Sequence, residues 1–149
     1  MNEDKLKEMW GQQKFVPFNK QDEAGYNEWA EYTKKAYDVL VQAARSEQTI
    51  KYGEIGSQIG LYSPEYFELK IGSIVGACSI YEQLYGRPLI SAIAVNAKTM
   101  WPSEGFWGLP GIPPKVNREV FWPQEVQRIF QTWAGGKEHA EEKRGRESN

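Results

Sequence analysis

Apolar residues recur at three- and four-residue steps from Tyr26 through Trp29, Ala30, Thr33, Tyr37, Leu40, Val41 and Ala44. That spacing predicts a long amphipathic helix over residues 23–45. Glu31 with Lys34 and Lys35 adds favourable pairs on its exposed side. Residues 49–52 follow as a short extended piece that Gly53 breaks. Residues 54–59 then read as a short helix ended by Gly60. Ser63-Pro64-Glu65 is a helix-start signal: a cap residue, a proline in the first turn and an acid near the positive end of the dipole. The helix it predicts runs to Tyr85, with Phe67, Ile71, Ile74, Val75, Cys78, Tyr81 and Tyr85 as its apolar stripe. Gly72 and Gly76 lie one turn apart on it, a spacing that lets another backbone pack closely.

Gly86-Arg87-Pro88 reads as a turn. Residues 89–96 are apolar on both parities, which predicts a strand buried on both faces. A polar loop over 96–105 leads to a returning strand at 106–109, and residues 110–114 are too proline-rich for regular structure. Pro123 opens a last helix with Val126, Ile129, Phe130 and Trp133 on one face. Three helices followed by a β-hairpin is the element order of a winged helix-turn-helix. The expected fold is therefore α+β: a winged helix-turn-helix-like core with an extra C-terminal helix. Residues 1–22 form an N-terminal extension, 23–134 the winged-helix-like domain, and 135–149 a disordered tail without a large apolar residue.

Composition narrows the chemistry. The single thiol, Cys78, cannot form an intramolecular disulfide, and no Cys/His cluster suggests zinc. A reducing, cytoplasmic setting follows. The N-terminus lacks a signal-peptide pattern, and no apolar run approaches a membrane span. The only histidine, His139, lies in the tail, a poor support for catalytic geometry. Cys78 sits on an apolar stripe and reads as a core thiol. No phosphate loop, triad or metal cluster favours an enzyme class, and no cofactor is expected.

The net charge of −2 argues against a strong general polyanion binder, but its distribution is uneven. Residues 22–47 hold six acids and three bases; residues 86–118 hold Arg87, Lys98, Lys115 and Arg118 against Glu104 alone. A mildly basic face on an acidic protein suits weak nucleic-acid contact or an acidic protein partner.

The run Tyr52-Gly53-Glu54-Ile55-Gly56-Ser57-Gln58-Ile59-Gly60 resembles the segment that opens the second helix in the DNA-binding domain of alkylguanine-DNA alkyltransferases and alkyltransferase-like proteins. Ile74-Val75-Gly76-Ala77 looks like that family's Val-Gly pair in the recognition helix. The transferases carry a Pro-Cys-His-Arg segment just afterwards, where this chain has Pro88-Leu89-Ile90-Ser91; the arginine preceding the family's Val-Gly pair also has no counterpart here. The resemblance implies DNA contact without alkyl transfer. Residues 86–96, followed by 102–107, are similar to small uncharacterised proteins of bacteria and their phages.

Two functions lead, ahead of a carboxylate-only enzyme that no feature specifically supports. One is a non-enzymatic nucleic-acid-binding winged helix, of phage or mobile-element origin, using Lys51, Tyr52, Ser73, Arg87, Lys98 and Thr99. The other is a protein-interaction module that docks on a larger protein through Trp101, Trp107, Arg118 and Trp122. In the loop, Trp101 and Trp107 either close the core or present a ring; strand alternation would bury Phe106 and leave one of the two indoles exposed.

Overall fold

The computed structural model describes residues 1–13, 17–20, 22–62 and 64–134; the predicted tail and the cap residue Ser63 lie outside them. Two positions expected to be strands fold otherwise. Residues 90–93 form a 3-10 turn, and only Ala94–Val95 pair as a strand. Glu104–Trp107 is a single helical turn in place of a returning strand. No antiparallel hairpin follows the long helix among the described residues. Instead β1 (Ile50–Lys51) pairs in parallel with β2 (Ala94–Val95), in the register Ile50 to Ala94 and Lys51 to Val95. The observed class is thus a largely helical α+β fold with one small parallel sheet.

Among the described residues six helices accompany that pair: α1 (Glu3–Gln12), α2 (Glu23–Arg45), α3 (Tyr52–Ile59), α4 (Phe67–Leu84), α5 (Glu104–Trp107) and α6 (Arg118–Ala134). The central element is α2. Its first turn is capped by the Asp22 carboxylate, which accepts the Ala24 N–H at 3.0 Å. Its apolar stripe buries Trp29, Ala36, Leu40 and Ala44 completely, and it packs against α3, α4, α6 and the 3-10 turn. As the sequence predicts, α3 ends at Gly60, whose left-handed φ of 84° lets the chain reverse.

The last helix begins five residues ahead of the proline that was expected to open it. Pro123 lies inside α6, exposed to solvent, and Ile129 and Trp133 reach the core. On α6 the buried Glu125 carboxylate accepts the Leu89 N–H at 2.8 Å and an Arg128 N–H at 2.7 Å. That contact ties the helix to the chain entering the 3-10 turn.

The N-terminal residues also contribute to the core. Leu6 and Met9 of α1 are buried in it, and the Asn2 N–H donates to the Tyr81 hydroxyl of α4 at 2.9 Å.

Candidate functional site

Parallel strands leave their carboxyl ends side by side, and the connections leaving those ends form a natural crevice. Here the chain leaves β1 at Lys51 and enters α3 at Tyr52; it leaves β2 at Val95 and enters a turn over residues 96–101. The Asn96 side chain braces that turn, its Oδ1 accepting the N–H groups of Lys98 at 2.8 Å and Thr99 at 3.4 Å. The Thr99 hydroxyl accepts the Trp101 N–H at 3.2 Å, and the Asn96 N–H donates to the Trp101 carbonyl at 2.9 Å. Lys51, Lys98 and Thr99 are exposed on these two connections, and Met100 holds a left-handed φ of 59°.

Beneath them lies a recess of about 90 Å³ between the start of α3, the middle of α4 and the residues around α5. Gly72 and Gly76 line it from α4. A Cβ on Gly72 would meet nothing within 4 Å, and one on Gly76 would meet only the Leu109 Cδ2 at 3.7 Å. The paired glycines therefore make room for a hollow, not for the close backbone approach their spacing suggests. Tyr52 stands half-buried at the rim. Its hydroxyl accepts the Ser103 N–H at 2.9 Å and lies 3.3 Å from the Ser103 Oγ. On the inner side Ser91 is bound to Ser79: the two hydroxyls are 2.6 Å apart, and the Ser91 N–H donates to the Ser79 Oγ at 2.8 Å.

The aromatic residues of the loop brace this wall. Trp101 stacks on Trp122 at 4.8 Å between ring centroids, and Trp107 lies edge-on to Phe106 and Phe121. The Trp122 Nε1–H donates to the Ala92 carbonyl at 2.8 Å. Phe106 is buried as predicted, but so is Trp107, and Trp101 is half-buried. Alternation fails because residues 104–107 turn as a helix, which sends both neighbouring rings inward. Trp101, Trp107, Arg118 and Trp122 do come together, as a largely half-buried stack with a charged lid. Arg118 lies 4.8 Å over Trp107 and grips Glu104 with two hydrogen bonds of 2.8 and 3.1 Å. Those bonds, with the attraction of the guanidinium, hold the Glu104 carboxyl below the usual carboxylate range.

The remaining predicted contacts fall elsewhere. Arg87 is not a surface cation: its side chain is 7% exposed and is bound to Glu82, which has no exposure. Gly86, at φ 71°, turns the chain back after α4 and brings the two together. Ser73 is half-buried on α4, with an enclosed Oγ that has no hydrogen-bond partner among the described residues. Cys78 is buried as expected, and burial, with Glu82 and Asp38 nearby, pushes its thiol well above the ordinary range. No cluster of metal-ligating residues occurs among the described residues, and no described helix is long and apolar enough to cross a membrane.

Sequence reasoning missed Ser91, Ser103 and the glycine-lined hollow. The available signal was a pair of small residues on α4 with serine and glycine on the segments that face them. Comparison with family models, curated proteins and solved structures gives no match to the chain.

Proposed function

We propose that the chain is a non-enzymatic nucleic-acid-binding protein that contacts a strand at the carboxyl ends of β1 and β2. One observation carries the reading. Lys51 and Lys98 are both exposed, and Lys98 follows only three residues after Val95, the strand partner of Lys51. Two cations on braced connections suit two phosphates of one backbone, with the Thr99 hydroxyl able to donate beside them. Tyr52, half-buried at the rim, offers a ring on which a base can stack.

In this reading α2, α3 and α4 are the three helices of a helix-turn-helix unit. The turn over residues 96–101 takes the place of a wing after the second helix of the pair. The outer side of α4 carries Glu68, Leu69 and Gln83 but no arginine, so binding is expected to be indifferent to base sequence. Group transfer is not part of the proposal, because Ser91 is engaged with Ser79 and the described residues include no histidine to serve it as a base.

Fluorescence anisotropy with labelled single-stranded and duplex oligonucleotides, at on the order of 50 mM salt, tests the proposal. The variant K51E/K98E should weaken binding about tenfold or more for every sequence alike. No binding by the unaltered chain, or equal binding by the variant, would end the reading.

A further inference from the structure

A second surface, at the other end of α3, has the opposite character. Tyr62, Tyr66 and Leu69 are 77, 67 and 51% exposed. Tyr66 and Leu69 share one open groove, and large apolar groups on a surface mark interaction sites. Tyr66 precedes α4 with φ 59° and ψ 19°, a left-handed conformation that is uncommon for a bulky residue. An open groove of about 530 Å³ runs along Pro64, Tyr66, Phe67, Glu68 and Leu69.

Charge decides what fits this surface. Glu65 and Glu68, on either side of Tyr66 and Phe67 in the chain, are both exposed. Lys70 is half-buried with its Nζ 5.4 Å from the Phe18 ring. Tyrosine faces attract cations through the negative face of the ring, and the carboxylates add to that attraction. The same carboxylates repel phosphates, so a nucleic-acid backbone is disfavoured here. The eight residues of α3, about 12 Å of helix, separate this face from Lys51.

We propose that this face docks an arginine- or lysine-bearing segment of a partner protein. The cationic heads lie over the Tyr62 and Tyr66 rings and against Glu65 and Glu68, while the apolar stems run along Leu69. The protein then joins a basic partner at one end of α3 to a nucleic-acid strand at the other.

The test uses the full chain, a short labelled peptide alternating arginine and serine, its glutamate–serine counterpart, and a labelled single-stranded oligonucleotide. The arginine peptide should bind saturably and the glutamate peptide should not. The variant Y62A/Y66A should weaken the arginine peptide about tenfold or more. The near-isosteric variant E65Q/E68Q should weaken it as well and flatten its salt dependence, which keeps the test open should the tyrosine variant lose its fold by circular dichroism. Neither variant should change oligonucleotide binding. Equal affinity of both variants and the unaltered chain for the arginine peptide would overturn the proposal, as would equal binding of the two peptides or no saturable binding. A tyrosine variant that loses the oligonucleotide and keeps the peptide would assign the face to nucleic acid instead.

Discussion

Glu82 and Arg87 are charges held out of water, and what surrounds them decides their worth. The Glu82 carboxylate accepts the Tyr37 hydroxyl as well as the guanidinium, and Arg87 is flanked by the rings of Tyr85 at 4.6 Å and Trp133 at 5.8 Å. Removing one partner of an enclosed pair strands the other charge. Glu82→Ala should therefore cost about 3–5 kcal/mol in urea unfolding, while the paired change Glu82→Leu with Arg87→Met should cost far less. A loss under about 1 kcal/mol for Glu82→Ala would place the pair among exposed bridges. The same pair explains why Arg87 reads as a phosphate contact in the sequence. A spacing of five residues is not a neighbour relation on a helix. Only the reversal at Gly86 makes it one; the turn at Gly86-Arg87-Pro88 is legible in the sequence, but not that it lays Arg87 back on Glu82.

At the level of elements, α1 is a short helix that buries two side chains in the core and lays Trp10 against Trp29 of α2. Leu6 is fully buried and Met9 nearly so, and α1 packs against α4. Leu6→Ala should lower stability by about 2–5 kcal/mol, measured by thermal and urea unfolding. A cost near zero would make α1 a loose appendage. Its burial could not be read from so few apolar positions, whereas α2 repeats its stripe over many turns and was legible almost to the residue. The end of α3 was legible too, because Gly60 supplies a conformation few residues adopt. Residues 89–96 were misread for a different reason. A segment enclosed on every side shows no periodicity, so an apolar run looks the same as a 3-10 turn or as a strand. Glu104–Trp107 is a single turn, too short for any period to appear.

Across the whole molecule, charge sets the strength of any contact with nucleic acid. Counted from sequence, Arg87, Lys98, Lys115 and Arg118 would release counterions from about four phosphates, a log–log salt slope near −3.6 on duplex. Of those four, Arg87 is enclosed, Arg118 is spent on Glu104 and the exposed Lys115 lies outside the strand-end connections, so Lys98 is left there together with Lys51. The slope should then be about −1.8 on duplex and about −1.4 on single strands, read from affinities across a salt series. A slope near −3.6 would mean that both ion pairs open on binding. The candidate site was thus half legible: Lys51, Tyr52, Lys98 and Thr99, named from the sequence, lie on the two connections that leave the paired strands. The hollow beneath them depends on a parallel pairing between residues far apart in sequence, which no local pattern encodes.

The burial of Trp133 at the end of α6 has a consequence for the order in which this protein can be made. Its indole is 1% exposed, close to Tyr37 of α2, so the middle of the core is filled from almost the last described residue. While the chain grows from its N-terminus, α2, α3 and α4 can gather early, yet they must wait with an open side until α6 is released. Between the release of α4 and that of α6 a nascent chain of this protein therefore offers an unfilled apolar cleft, and chaperones that shield such surfaces have their opportunity in that interval.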